Sequence, residues 1–215
     1  MKQVAGTDEA GKGPVLGSMF AGCVRAPPDR LPDGIADSKQ LSPERREMLD
    51  AQLRADDQIE VSVAEIPVAR IDDPETDMNT LTVAAQAEAL AALAADDLLV
   101  RADAGDTDAD RFGRRLADRV ESSVTVRAEH GADDGHAIVG AASIVAKVAR
   151  DAHVAAIGER YDAAIGSGYP SDPQTRAFLA EYVETHGEVP ACARSSWATC
   201  DDVLAAAEQS GLGEF

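Results

Sequence analysis

Val4 to Gly17 reads VAGTDEAGKGPVLG, and it constrains this chain more than any other stretch. Val4 and Ala5 have the character of the last half of a short strand, and the glycines that follow let the backbone take positive φ or approach a ligand closely. Among them stand two adjacent carboxylates, Asp8 and Glu9. Side chains alternate faces along a strand, so the pair is expected to converge only where the strand ends or twists. In a solvated loop the same pair would carry no chemistry. Gly6 to Lys12 also matches a phosphate-cradling loop up to its last position, but Gly13 stands where a hydroxyl would hold magnesium. Pro14 stands where donating amides should continue, and Asp8 and Glu9 would repel phosphates. An acidic site is the better reading.

The charge must be weighed before a partner is named. The chain has 215 residues, enough for one domain or one domain with a small appendage. It carries 20 basic against 39 acidic residues, a net charge of −19. Such a balance ordinarily repels nucleic acid, which is bound through phosphate neutralisation. It equally suits a saline cytoplasm, where surface acid keeps a chain soluble and salt screens its self-repulsion. Net charge therefore does not choose the partner. With no run of 18 apolar residues and no charged-then-apolar leader, neither a membrane span nor a signal peptide is expected, and a cytoplasmic protein is. Cys23, Cys192 and Cys200 lack the spacing of a disulfide framework or zinc site, and His130, His136, His153 and His186 lack metal-ligand spacing.

Further along, Leu16 to Arg25 reads as a second strand hairpinned to the first. Ser42-Pro43-Glu44 starts a helix whose apolar side carries Met48, Leu49 and Leu53. Ile59, Val61 and Val63 alternate as a half-buried strand. Asn79 is placed to cap an alanine-rich helix running to Ala95. Leu98 to Val100 forms a short strand into Asp103, Arg111 to Val120 a helix, Val124 to Val126 a strand, and Ala141 to Ala164 a long helix. On that helix Ser143, Lys147 and Arg150 fall on one polar stripe, which suits either solvent or a phosphate backbone. Pro173 to His186 and Thr199 to Gln209 read as closing helices. Strands alternating with helices predict an α/β sheet.

Asp8, Glu9, Asp103 and Asp133 all lie at or near expected strand ends, where side chains of an open α/β sheet gather in one crevice. Carboxylate oxygens are hard ligands for Mg²⁺ or Mn²⁺. Acids without His or Cys, joined to phosphate-binding cations, suit two-metal hydrolysis of a phosphodiester.

The motifs GTDEAGKGPVLG, DSKQLS, DMNTL, VRADA, GAASIVAKVARD, SGYPSD and RSSW together resemble the ribonuclease HII family in order and spacing. The resemblance implies an α/β fold, a ribonuclease H-like mixed sheet flanked by helices, with a helical C-terminal extension. Residues 1–164 would form the catalytic domain and residues 165–215 a helical part packed on it. It implies an endonuclease that cuts the RNA strand of RNA/DNA hybrids and nicks 5′ of ribonucleotides embedded in DNA. Asp8, Glu9, Asp103 and Asp133 match its catalytic, metal-binding carboxylates, with Mn²⁺ or Mg²⁺ as cofactor and Asp134 the alternative to Asp133. Gly11, Lys12 and Gly13 match the turn that reads the ribose 2′-hydroxyl, Tyr169 the residue stacked at the ribose–deoxyribose junction, and Lys39, Ser143 and Lys147 positions near substrate phosphates. Lys12 stands where arginine is usual, and Gly135-His136-Ala137 replaces an aromatic-proline stretch. The partners implied are hybrids and ribonucleotide-containing DNA, for a monomer without membrane or obligate protein partner. A hybrid-binding module that does not cut, or another ribonuclease H-like nuclease, are the competing readings. The first would be expected to lack a carboxylate and the second would not need GKG or SGYP.

Overall fold

The computed structural model describes residues 3–35 and 41–212. Five strands form one mixed sheet: β1 (Val4–Ala10), β2 (Met19–Ala26), β3 (Glu60–Ile66), β4 (Leu98–Asp103) and β5 (Val124–Glu129), in the order β3-β2-β1-β4-β5. β1 to β3 pair antiparallel as a meander, whereas β4 joins β1 and β5 joins β4 in parallel. Parallel neighbours need a crossover, and helices supply it. The helices are α1 (Pro43–Ala55), α2 (Val68–Ile71), α3 (Met78–Ala91), α4 (Ala109–Ala117), α5 (Ala132–Gly135), α6 (Ala137–Tyr161), α7 (Pro173–His186) and α8 (Ala198–Leu212). The expected class, a mixed sheet flanked by helices, is the one observed.

The chain divides into two compact units. The first holds residues 1–12, 19–66 and 76–150, with the whole sheet; the second holds 13–18, 67–75 and 151–215. In the first, α3 packs on β1, β2 and β3, where the Ser62 hydroxyl donates to the Ala89 carbonyl. α6 lies against the opposite face at backbone contact. A methyl group at Gly6 would come 2.3 Å from the Ile138 carbonyl oxygen, and one at Gly22 2.4 Å from that of Ala142, so only glycine permits this approach. Val24, Leu49, Leu53, Ile59, Val139 and Val145 belong to the core on that side. In the second unit Val15, Leu16, Ile157, Phe178, Leu179 and Cys200 form a separate apolar cluster.

Several expected boundaries move for identifiable reasons. Ser42 caps α1 by accepting from the Arg45 amide, as read, but Met48 is 43% exposed and only Leu49 and Leu53 face inward. On edge strand β3, Val63 is exposed and Ala64 and Ile66 are buried. β2 begins at Met19, three residues later than expected, because Leu16 instead bridges Ala193 within the second unit. The cap of α3 is Asp77, which accepts from the Thr80 amide, not Asn79, and the helix ends at Ala91. Such a cap contributes about 1 kcal/mol. α6 starts at Ala137, ahead of the expected Ala141, and ends at Tyr161, short of the expected Ala164.

Candidate active site

Strand periodicity aims the first two carboxylates. β1 runs unbroken through Asp8 and Glu9 to Ala10, so the expected strand end lies beyond the pair and the two side chains take opposite faces. Asp8 points to the α6 side, where Ser143, completely buried, hydrogen-bonds it. Glu9 points to the α3 side, where the Gln86 amide donates to its Oε2 at 2.6 Å. Parallel pairing of Thr7 with Ala102 brings Asp103, the last residue of β4, alongside. Asp103 Oδ1 accepts from the Ala132 amide at 2.7 Å and so fixes the turn α5, which follows Gly131 at φ 66°. In that turn Asp133 is 4% exposed and Asp134 is exposed. The inward carboxylate is therefore Asp133.

Two of these acids, Asp8 and Glu9, are costly to ionise where they stand. Burial above all, with repulsion from Asp103 and Asp133, pushes Asp8 up to about 7 against the opposing hydrogen bonds from Ser143 and the Glu9 amide. Burial, then Asp8 and Asp103, push Glu9 up to about 8, and Gln86 and Lys12 offset part of this. Yet among the described residues no three His, Cys, Asp or Glu side chains stand ready-grouped around a common point. The acids share one field without sharing one apex.

The other expected residues divide between the units. Gly11 takes φ 90°, beyond ordinary side chains, and Lys12 turns back to donate to the Gly105 carbonyl and, at 3.3 Å, to Asn79 Oδ1. Asn79 thus serves Lys12 instead of capping α3. Lys147 Nζ donates to Ser143 Oγ at 2.9 Å, so the stripe on α6 is a part-buried connection at this point, with Ser143 itself fully buried. Gly13 and Tyr169 belong to the second unit, where a side chain at Gly13 would stand 3.4 Å from the Tyr169 ring and Tyr169 is 40% exposed. Lys39 lies outside the described residues. Gln86, unread from the sequence, is the addition: its only local signal is a polar amide among buried alanines.

The ribonuclease HII family model matches residues 5–200. A curated ribonuclease HII of Halobacterium salinarum is 64% identical over 210 residues, 98% of this chain and 98% of the relative. Among solved structures, the ribonuclease H2 of Pyrococcus horikoshii OT3 superposes with a TM-score of 0.88 at 36% identity, covering 96% of this chain and 99% of that one. The ribonuclease HII of Archaeoglobus fulgidus, solved as a complex with PCNA, gives 0.82 at 34% identity over 91% and 95% of the two chains. Family model, relatives and fold agree, and the chain belongs to the ribonuclease HII family.

Proposed function

We propose that Asp8, Glu9, Asp103 and Asp133 form the hydrolytic centre of an endonuclease that cuts the RNA strand of RNA/DNA hybrids and nicks 5′ of ribonucleotides embedded in duplex DNA. The observation that carries this is the desolvation of Asp8 and Glu9 beside further carboxylates, with protein donors too few to offset it. Such a set fits Mn²⁺ or Mg²⁺, since hard cations take carboxylate oxygens and remove the mutual repulsion. When bound, a divalent ion supplies the Lewis acidity that phosphodiester hydrolysis needs. The chain's own part is orientation. Ser143 holds Asp8, the Ala132 amide holds Asp103, and Lys12 lowers the charge near Glu9.

Recognition falls to residues around the turn. The amides of Gly11, Lys12 and Gly13 read the 2′-hydroxyl, the group that separates RNA from DNA, and backbone readout survives lysine in place of arginine. Tyr169, whose ring is partly exposed, offers a stacking platform for the base at the ribose–deoxyribose junction. Lys39, Ser143 and Lys147 serve the substrate phosphates; the burial of Ser143 supports an additional role in aiming Asp8. Residues 1–164 act as the catalytic domain with 165–215 as its helical part, working in the cytoplasm. The PCNA complex of the Archaeoglobus relative supports a PCNA partner here too, one that hydrolysis does not require, because every group named comes from one chain.

The test is a DNA duplex carrying one ribonucleotide, incubated with Mn²⁺ or with Mg²⁺. A nick on the 5′ side of the ribonucleotide and none in all-DNA duplex is expected. Binding without cleavage under both metals would instead identify a hybrid-binding module.

A further inference from the structure

The amide of Gln86 is not accounted for by packing. It is completely buried on α3 among Ala84, Ala85 and Ala87, a setting in which an apolar side chain would cost nothing. Both of its donated hydrogen bonds leave the helix for the carboxylate-bearing strands: Nε2 reaches Glu9 Oε2 on β1 at 2.6 Å and the Asp103 carbonyl on β4 at 2.9 Å. Its Oε1 has no hydrogen-bond partner among the described residues. A buried acceptor left unmade is tolerated only where the donors matter more.

The surroundings define the other oxygen of Glu9. A side chain at Gly105 would come 2.9 Å from Glu9 Oε1 and 2.5 Å from Thr82 Cγ2, so Oε1 keeps its position only because residue 105 is glycine. One oxygen is thus pinned by an amide and the other lies against Gly105, too close for any side chain there. A carboxylate with free torsions would lose this distinction.

We propose that Gln86 is a positioning residue, which fixes the orientation of the Glu9 carboxylate and ties it to the backbone of Asp103, so that the two strands present their acids in a set geometry. This rests on the nuclease reading given above. Groups that orient a metal-binding carboxylate typically change metal affinity or activity by about 10- to 100-fold when removed.

The test uses the full chain with Gln86→Met, which keeps length and volume but removes both donors, and Gln86→Leu as a second apolar variant. Mn²⁺ binding is measured calorimetrically without substrate, and cleavage of an RNA/DNA hybrid is resolved into kcat and KM. Mn²⁺ affinity and kcat should each fall by about 10- to 100-fold while KM changes by less than about twofold. Because the effect acts through Glu9, adding Gln86→Met to a Glu9→Gln protein should cost Mn²⁺ affinity almost nothing further. Variants that bind Mn²⁺ and turn over within about twofold of the parent would overturn the proposal. So would an equal loss in the Glu9→Gln background, or failure of both variants to fold. If the parent protein itself neither binds Mn²⁺ nor cuts the hybrid, the nuclease reading fails instead.

Discussion

Asp8 in the sheet unit and Asp72 in the second unit are the same chemical group under opposite arrangements. Asp72 accepts four hydrogen bonds, from the amides of Ser195 and Ser196 at 2.8 and 3.1 Å and from their hydroxyls at 2.9 and 2.5 Å. Burial raises its cost of ionisation, yet those donors together hold its carboxyl below the usual range. Asp172, accepting from the Ser167 side chain and the Ser167 and Gln174 amides, is lowered to about 2. Asp8 and Glu9 are pushed the other way, above all by burial, with neighbouring acids adding to it and only two partners offsetting it at each. A carboxylate saturated by the protein is a staple; one left short of donors is available to a cation. The difference between structure and chemistry here is depth of burial and a count of donors, not a residue type.

The largest effect expected from disturbing this contrast is on catalysis. Asp103→Asn should lower the nicking rate by about 1000-fold or more, since a lost metal-binding charge is worth several kcal/mol of transition-state stabilisation. It should leave the metal-free protein at least as stable as the parent, because one repelling charge is gone. Near-parental turnover at saturating metal would remove Asp103 from the centre. Asp72→Ala should do the reverse, costing about 2 kcal/mol in urea unfolding through lost hydrogen bonds. Its rate per folded molecule should stay close to the parent's, and a collapse of that rate without a stability loss would show that Asp72 is more than a staple.

The two classes should also separate by pH. In the fold Asp8 and Glu9 keep protons to about 7 and 8, whereas the unfolded chain releases them near their ordinary values of about 4. Across that window the folded state binds more protons, so the stability of the metal-free protein should fall as pH rises from about 5 to about 8. Asp172, with its pKa lowered, contributes stability present above its ordinary value and lost as pH falls toward about 2. Melting temperatures taken across pH, with and without Mn²⁺, check this: Mn²⁺ should stabilise more at pH 8 than at pH 5.5. A melting curve flat between pH 5 and 8 would mean that the acids are better solvated than their setting implies.

The smallest effect expected is a difference close to zero. Raising KCl toward 1 M shortens the Debye length to about 3 Å and screens exposed acid, so the melting temperature should rise for a chain of net charge −19. Asp103 is half-buried and so screened less than the exposed acids, and Asp103→Asn should show nearly the same rise as the parent. A salt response that shrinks in the variant would place part of the halophilic behaviour in the site. The 64% identity to the relative from Halobacterium salinarum supports a halophilic chain.

Much of this protein is present in its local sequence. Periodicity and caps locate most of the strands and helices, Pro173 to His186 to the residue, because helix ends are set by side chains within a turn of them. The acids Asp8, Glu9, Asp103 and Asp133 stand out as residue types beside expected strand ends. What local pattern does not contain is pairing across the chain. Leu16 looks like strand and bridges Ala193. Asn79 looks like a cap and holds Lys12, because Asp77 takes the cap. Ser143 looks like surface and is buried against Asp8, and Gln86 looks like one polar residue among alanines and holds Glu9. These choices are made by backbone contact at Gly6 and Gly22 and by strand register, where partners lie from 15 to more than 100 residues apart and no local preference can weigh them.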